Sequence, residues 1–419
     1  MFLKYTCLLL MVYPISALAI ELTPKLVLET VYKNNPELAS SKATVESEKA
    51  AISSQYSLSG PRLGLMKESD MNTMQMKDGP MKTWSISQEI MFPTKYFSRG
   101  DIQKTRFKKN QEEYEDKRLE LRSEALSVYF RYYTFRRIFS LLKAQKETLR
   151  EIARIAENRR STGVVPQQDE MKAHVEQTKI ENELLLMAQE YAEAGYTLNA
   201  ILNRPIESEI KLPEKDFNLK EDVKLVSDFE ELNIHASNLI RSEEYSVKEA
   251  SLEKDLAQMG YLPDFMLTYK KAYGNNAIST AEAFGIEMTV PLWFLKKERS
   301  EVGAATLKEY AAKRKLESVK RNIESSVRIL KSKVITYSKL LQIYETALIP
   351  QATSTLNSSR SAYSTGKVGF QELLDAERTL YSTRIEYYQN FSKFIDAVTG
   401  LERVAGISVS RLPFSEEDI

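Results

Sequence analysis

The chain carries one pattern twice, and this duplication restricts its fold more than any other feature. In each copy, two short segments of alternating polar and apolar residues precede a long, charged helical run that a glycine interrupts. The interrupting segments read STGVVP at 161–166 and STGKVG at 364–369. Such self-similarity indicates one supersecondary unit used twice. We therefore predict a mainly α-helical fold with a small β part, in which a strand pair followed by a long helical hairpin occurs twice.

The strand segments are recognised by their period of two. Trp84 and Ile86 alternate with Ser85 and Ser87, as expected when successive side chains of a strand point to opposite faces. The first repeat is predicted at 20–213, with strands at about 61–67 and 83–92 and a hairpin at about 97–203. The second repeat is predicted at 214–406, with strands at about 263–272 and 283–292 and a hairpin at about 297–400. A C-terminal tail follows at 407–419.

The helical runs are too long for a compact domain. At 1.5 Å per residue, the run at 97–160 would extend roughly 95 Å, so it must bury an apolar stripe in a bundle or coiled coil. The chain has few helix breakers, with 14 glycines and 13 prolines in 419 residues, and 28% of its residues are charged. Such a composition favours long, solvated helices. Pro350 is expected to kink the second long run.

Charge and motif content exclude several classes of function. The formal net charge is +1, which gives no electrostatic reason to expect nucleic-acid binding. The sequence contains no nucleophile elbow, phosphate-binding loop, dinucleotide fingerprint or zinc signature. We therefore predict a protein that is not an enzyme, needs no cofactor and binds no nucleic acid.

Residues 1–19 predict a cleavable signal peptide. Lys4 precedes an apolar stretch at 7–12, and the segment Ala17-Leu18-Ala19 supplies the small residues of a cleavage site. A transmembrane anchor is the alternative, although this apolar run is far shorter than the ~20 residues that a spanning helix needs. No later run reaches ~18 apolar residues. Insertion into a membrane would therefore have to use the strands.

The strand segments have a length that suits a bilayer. A strand of about 9–11 residues crosses a membrane when it is tilted. Four such strands cannot close on themselves, because open edges are not tolerated in lipid and the smallest closed bacterial barrels have about eight strands. The chain is therefore expected to oligomerise, and three copies would supply twelve strands. The residues predicted to face lipid are Trp84, Ile86, Phe284, Ile286 and Val290, with Ser85 and Glu287 on the opposite face.

Three short motifs carry a family resemblance. They read NPEL at 35–38, SQEIMFP at 87–93 and YSTGKVGFQELLDA at 363–376. With them, nearly all of the mature sequence resembles the TolC-type outer-membrane efflux family. The resemblance implies a homotrimer in which twelve strands form a β-barrel in outer-membrane lipid and twelve helices form a tunnel through the periplasm of a Gram-negative-type bacterium. It also implies docking onto a periplasmic adaptor, or membrane fusion protein, and an inner-membrane pump of the RND type.

A narrower resemblance concerns residues 64–92. Their methionine-bearing loop, lying between two strand segments, resembles that of the heavy-metal efflux branch, the CusC-like and CzcC-like channels. Sulfur ligands suit Cu(I), but methionines also fill space without binding anything. Because this loop would face the cell exterior, a poor place for a selective site, no residue is assigned as a metal ligand. The candidates that stay open are Met71, Met74, Met76 and Met81.

The residues that follow the second glycine predict a gate. Glu372 and Asp375 share a helix face, and the resemblance maps them onto an acidic constriction near the periplasmic entrance. A threefold axis would turn each into a ring of carboxylates that favours cations. Asp169 has the same offset from Gly163 that Glu372 has from Gly366, so it is expected to line the same aperture or to pair with a neighbouring chain. The alternative is a set of solvated surface acids.

The two glycine turns are expected to form tips that contact the adaptor, because loop tips carry recognition while long helices position them. Tyr363, beside the second tip, matches a family residue that helps to hold the closed state. Where the family can carry a basic partner, this chain has Val368, with Lys367 just before it. The residues expected to contact the adaptor are Gly163, Val164, Val165, Gly366, Lys367 and Val368.

The hypothesis that follows is a passive channel for metal cations or drugs. A type I protein secretion conduit is one alternative, because the same channel architecture serves several pumps. A periplasmic coiled-coil scaffold outside the membrane is another. It would explain the helices and the signal peptide, but not four period-two segments in two matching pairs. The transported substrate is set largely by the pump, which is a separate chain.

Overall fold

The computed structural model describes residues 21–68, 81–161, 167–213, 224–225, 236–273, 280–290, 296–406 and 410–411. Within these ranges the chain is mainly α-helical, with a four-stranded antiparallel sheet and a two-stranded one. This confirms the predicted fold class. Several predicted features lie outside the described residues, namely the signal peptide at 1–19, the methionines Met71, Met74 and Met76, and the first-tip residues Gly163, Val164 and Val165.

Two short helices begin the described chain and are separated by the Asn-Pro motif. They are α1 (Pro24–Asn34) and α2 (Pro36–Gln55). Asn35 caps α2, because its side-chain oxygen accepts hydrogen bonds from the backbone N–H groups of Glu37 and Leu38 at 2.9 and 3.2 Å. The Asn35 amide nitrogen donates to the carbonyl oxygen of Ile201 at 3.2 Å. The motif therefore starts one helix and also ties it to a distant part of the chain.

Six further α-helices are found among the described residues of the two hairpins and of the segment between them. They are α3 (Pro93–Ser161), α4 (Gln167–Ile201), α5 (Asn238–Gln258), α6 (Lys297–Ile343), α7 (Ile349–Ser364) and α8 (Phe370–Ala405). α3 contains 69 residues and is about 100 Å long at 1.5 Å per residue. It packs along α4, α5 and α8, and α6 packs along α5 and α8. Each long helix is thus supported by neighbours, as its length requires.

A π-helical segment joins α6 to α7. It covers Tyr344–Leu348, and Pro350 is the second residue of α7. Proline has no N–H to donate to the carbonyl four residues earlier, and its ring crowds that carbonyl. The turn before Pro350 therefore departs from α-helical hydrogen bonding while the helical path continues. The irregularity expected from Pro350 takes the form of this π segment.

The predicted strand segments form one antiparallel sheet. In chain order the strands are β1 (Arg62–Glu68), β2 (Met81–Ile90), β3 (Lys224–Leu225), β4 (Asp264–Tyr273), β5 (Thr280–Thr289) and β6 (Ser410–Arg411). The sheet has the order β1-β2-β4-β5, and β3 pairs separately with β6. β5 begins at Thr280 rather than at about residue 283, because its ends follow pairing with β4, where Thr280 lies opposite Tyr273. Val290, predicted to face lipid, is the first residue beyond β5.

The strand register collects the apolar residues on one face of this sheet. Trp84 lies opposite Leu65, and Ile86 lies opposite Tyr269, which in turn lies opposite Phe284. Since partners across a sheet share a face, the predicted alternation is confirmed, and Ser85, Ser87 and Glu287 fall on the other side. We call the two sides the apolar and the polar sheet face. The exposed apolar side chains of the apolar sheet face are Leu63, Leu65, Trp84, Ile86, Phe284, Ile286 and Met288.

The helices instead bury their apolar residues between them, in two clusters. In the cluster nearer the sheet, Phe130 of α3 makes edge contacts with Tyr129 and with Phe391 of α8 at ring-centroid distances of 5.2 and 5.7 Å. The second cluster lies near the tips and includes Leu149, Ile152, Ile180, Tyr363, Phe370, Leu373 and Leu374.

None of the helices among the described residues combines the length and the apolar character that crossing a bilayer requires.

Candidate functional site

The second tip is a tight turn built around Gly366. Its φ is +77°, a left-handed conformation that glycine adopts without the steric cost other residues meet. The N–H of Lys367 donates to the carbonyl of Ala362 at 2.9 Å and the N–H of Gly366 to that of Tyr363 at 3.0 Å, which satisfies the last carbonyls of α7. The chain therefore reverses between α7 and α8 within a few residues. Lys367 is exposed at this turn, and Val368 is half-buried.

Arg159 connects this tip to the end of α3. Its Nη1 donates to the carbonyl oxygen of Tyr363 at 2.6 Å, and its guanidinium lies 4.7 Å from the centre of the Tyr363 ring. A cation over an aromatic face is attracted to the ring electrons. Tyr363 is only 1% exposed and packs edge-on against Phe370 at 5.6 Å. Sequence analysis singled out Tyr363 and sought its basic partner at 367–368, whereas the structure supplies one from α3.

Asp169 lies in the first turn of α4 and is half-buried. Burial raises the pKa of the Tyr363 phenol, and the nearby Asp169 carboxylate raises it further. The phenol is therefore neutral at neutral pH and available as a hydrogen-bond donor. The next residue, Glu170, forms an ion pair with Arg160 at 2.6 Å. This pair joins the end of α3 to the start of α4 across the first tip.

Glu372 and Asp375 lie three residues apart on α8, and both are exposed. Asp375 also has partners within the chain, since its Oδ1 accepts a hydrogen bond from Gln371 at 3.0 Å and lies 3.4 Å from Arg378. Arg378 in turn contacts Glu176 of α4 at 2.6 Å. The acidic pair is therefore not isolated, because an arginine ties its second member to the neighbouring hairpin.

Glu176 is the acceptor that joins the two hairpins here. Its burial raises its pKa, but hydrogen bonds from Arg378 and from Lys179 outweigh that effect and hold the pKa below its usual value. The carboxylate is thus charged throughout the physiological range. Spacing along one helix could not identify Glu176, because its partner Arg378 lies about 200 residues later in the sequence.

Glu377 of α8 lies on the seam between α3 and α8, close to the tips. It is fully buried, and the side-chain amide of Gln145 on α3 donates a long hydrogen bond of 3.5 Å to its carboxylate. Desolvation raises its pKa to about 7, although Gln145 and Arg378 counteract part of the rise. Glu377 was not among the residues singled out from the sequence. The signal that could have identified it is its place on an apolar helix face, four residues after Leu373 and three before Leu380, both of which are buried.

A shallow cavity lies beside the tips between α4 and α8, with a volume of about 290 Å³. Its walls combine apolar and charged groups, which suits a protein side chain better than a metal ion. No three His, Cys, Asp or Glu side chains converge on a possible metal position in the part of the chain that the structure describes. Of the candidate methionines, only Met81 is described, as the first residue of β2. The residues that line the cavity include Met171, Val175, Glu176, Leu374 and Arg378.

Comparison with known proteins identifies the family. The model of the outer membrane efflux protein family matches residues 27–204 and 234–407. Because these ranges cover most of the chain, the chain belongs to the outer membrane efflux protein family. No curated protein sequence matches it.

Solved structures share the fold at low sequence identity. The outer membrane protein VceC of Vibrio cholerae is 14% identical, with a TM-score of 0.78 over 91% of this chain and 96% of VceC. CusC is 16% identical, with a TM-score of 0.80 over 93% of each chain. The outer membrane channel CmeC of Campylobacter jejuni is 16% identical, with a TM-score of 0.79 over 95% of this chain and 91% of CmeC. These similarities concern the fold.

Proposed function

We propose that this member of the outer membrane efflux protein family is the channel of a tripartite efflux system, a passive homotrimeric conduit from the periplasm to the cell exterior. The observation that carries the proposal is the apolar sheet face, where Leu63 and Phe284 are 80% and 76% exposed. That face is continuous with the helical bundle, since β2 ends at Ile90 and α3 begins at Pro93. A scaffold dissolved in the periplasm would leave this apolar face in water.

The edges of the sheet support a trimer. Among the described residues, β1 and β5 each pair with a strand on one side only. Unpaired edges are not tolerated in lipid, so β1 of one copy would pair with β5 of the next. Three copies would close a barrel of twelve strands, above the minimum of about eight.

Exposed apolar side chains on the helices support the same assembly. Met171 and Val175 on α4 are 54% and 52% exposed, and Leu307 and Tyr310 on α6 are 69% and 56% exposed. Apolar patches on long helices mark protein contacts. In the trimer these surfaces would meet neighbouring copies, and the helices would enclose a tunnel.

The gate is assigned to the tip region. Glu372 and Asp375 of three copies would form two carboxylate rings at the narrow periplasmic end, which attract cations. Like charges in such a neck repel, so the closed state needs other contacts. The link from Arg159 to Tyr363 and the pair of Arg378 with Glu176 can supply them, and Asp169 lies close enough to influence Tyr363.

The remaining partners are part of the proposal. The tips at 161–168 and 364–370 would dock onto a periplasmic adaptor, which connects the channel to an inner-membrane pump of the RND type. The transported substrates would be metal cations or drugs, and the resemblance of residues 64–92 to the heavy-metal branch favours metal cations. The channel would sit in the outer membrane after removal of a signal peptide at 1–19.

Mass measurement in detergent tests the assembly. The purified protein should contain three chains, and its mobility on a denaturing gel should change on heating, as expected for closed barrels. A monomer that keeps its full strand content would contradict the proposal. Recovery of the native protein in the soluble periplasmic fraction would instead favour the scaffold.

Single-channel conductance in a planar bilayer tests the gate. Replacing Glu372 and Asp375 together by Ala should reduce cation selectivity and weaken block by divalent cations added from the periplasmic side. A matched control is Glu147→Ala, an exposed acid on α3 that pairs with Arg150. If the double variant keeps its selectivity and its block, these residues do not line the aperture.

Substitution at the second tip tests docking. Gly366→Val places a branched side chain at a φ of +77° and about 3.2 Å from Arg159, so the turn must change. Efflux should be lost while trimer yield stays normal. Export that persists when both tips are altered would place docking elsewhere.

A further inference from the structure

Two lysines lie directly opposite each other on the apolar sheet face. Lys67 of β1 is the cross-strand partner of Lys82 of β2, and both are exposed. Directly opposed residues have their Cβ atoms about 4.5–5.5 Å apart, and like charges in this arrangement destabilise the sheet. An anion bound between the two amines would remove that repulsion.

A third lysine lies on the same face, in the next row of residues toward α3. Lys271 is opposite Trp84, forms an ion pair with Glu282 at 2.8 Å, and has its amine 5.7 Å from the Tyr273 ring centre. Its charge is thus balanced within the sheet. By contrast, no acidic partner of Lys67 or Lys82 is found among the described residues.

The lysine pair lies between two rows of residues on the polar sheet face. The row on the side of α3 consists of residues that cannot ionise, namely Met66, Thr83, Ala272 and Ala281, and the row on the other side pairs Glu68 with Met81. The strand register places Lys67 and Lys82 on the side of the sheet that also carries Trp84, Ile86 and Phe284. An anionic ligand must approach from that side, which the proposed function assigns to lipid.

The height of the lysine pair matches a bilayer surface. Lys82 is eight residues from Ile90, the last residue of β2, which is about 27 Å along a strand at 3.4 Å per residue. A strand tilt of about 40° reduces this to roughly 20 Å, comparable to the ~25 Å height of the apolar band of outer-membrane barrels. The pair lies at the end of the strands remote from α3, so it would reach the headgroups of the outer leaflet.

We infer that Lys67 and Lys82 form a docking site for the phosphate groups of outer-leaflet glycolipids. This inference rests on the proposed function, because it needs the apolar sheet face to meet lipid. Ammonium groups bind phosphate as compact point charges. Trp84, two residues from Lys82 on the same face, would lie beside the adjoining acyl chains, as aromatic residues do at membrane interfaces.

Binding of a defined lipid to the full-length protein in uncharged detergent tests the inference. The probes are lipid A with both phosphates, the same lipid after removal of its phosphates, and inorganic phosphate. Native mass spectrometry counts bound lipids, and a titration gives their affinity. The phosphorylated lipid should bind the wild-type protein at least about tenfold more tightly than the phosphate-free lipid. Each lysine near an anionic surface contributes roughly fivefold in affinity.

The decisive variant replaces Lys67 and Lys82 together by Gln. It should bind phosphorylated lipid A roughly 25-fold more weakly, at about fivefold per lysine. Lys270→Gln is the matched control, since Lys270 is an exposed lysine of β4 on the polar sheet face, and it should bind like wild type. Replacing both lysines by Arg keeps the charges and should preserve binding, which separates the loss of charge from a folding defect.

Three results would overturn the inference. They are an unchanged affinity in the double Gln variant, an equal loss in Lys270→Gln, and full displacement of the lipid by millimolar inorganic phosphate, which would indicate a general anion site. Trimer mass and single-channel conductance are measured on the same samples. If these are normal while lipid binding does not depend on the lysines, only this inference fails. If the wild-type protein is neither trimeric nor conducting, the proposed function itself fails.

Discussion

The sheet and the helical bundle place their apolar residues in opposite ways. Phe284 in β5 is 76% exposed, whereas Phe370 at the start of α8 is 3% exposed. The bundle follows the ordinary rule for proteins in water, in which apolar side chains are buried against one another. The sheet presents its apolar side outward, and no part of the chain that the structure describes covers this side. The bundle is therefore stabilised by contacts within the chain, while the sheet depends on its surroundings.

The largest expected effect comes from making the same substitution in both regions. Phe370→Ala should lower the free energy of unfolding by about 3–5 kcal/mol, because it leaves a cavity in the tip cluster. Phe284→Ala should cost less than about 1 kcal/mol in detergent, because an exposed side chain leaves no cavity. Denaturant titration of the detergent-solubilised protein measures both. Equal losses would mean that Phe284 is covered by protein.

The next effect separates the two faces of the sheet. Phe284→Arg should cost about 2–4 kcal/mol near the bilayer midplane, because a charge is moved into hydrocarbon. Ser85→Arg and Glu287→Arg, on the polar sheet face, should be tolerated much better. Equilibrium folding into lipid vesicles measures the difference. Similar damage on both faces would show that the apolar sheet face does not meet lipid.

A third effect concerns the pH dependence of stability and comes from Glu377, a buried acid of the helical bundle. Because folding raises the pKa of Glu377 from 4.5 to about 7, the folded state keeps a proton that the unfolded state releases. The contribution of this group to stability is fully present below about pH 4.5 and is lost as the pH rises to about 7. The total loss is roughly 3 kcal/mol.

Glu377→Gln removes this titration, since an amide cannot ionise. The variant should be more stable than wild type above about pH 7 and should lack the decline between about pH 4.5 and 7. Unfolding titrations across pH 4–8 measure both curves. A variant that declines with pH as steeply as wild type would assign the titration to another group.

The smallest effect concerns the second tip, where Arg159 donates a hydrogen bond to the carbonyl oxygen of Tyr363. Arg159→Gln should destabilise the protein by about 1.5–3 kcal/mol, the range for losing a hydrogen bond that involves a charged group, and should increase the open fraction in single-channel records. Arg150→Gln is the matched control, because its pair with Glu147 is exposed and such pairs contribute little. Closed-state lifetimes equal to wild type in Arg159→Gln would remove Arg159 from the gate.

Sequence patterns anticipated the features that depend on neighbouring residues. The period-two alternation placed Trp84 and Ile86 on one face, and the Asn35-Pro36 break and the turn at Gly366 occur where local chemistry requires them. Strand ends were less predictable, as β5 shows, because the partner strand sets them. In the site, spacing placed Glu372 and Asp375 on one helix face and allowed the local contact of Asp375 with Arg378, but it gave no sign of the contact between Arg378 and Glu176 of α4.

The duplicated plan of strand pair and helical hairpin is written in the local sequence, because periodicity, caps and turns are set by residues close together in the chain. Which side chains meet across the hairpins is known only from the folded chain. Arg159 reaches Tyr363, and Gln145 reaches Glu377, over more than 200 residues of sequence. Such contacts depend on how helices about 100 Å long align, since a shift of one turn would exchange every partner, and no local pattern specifies that alignment.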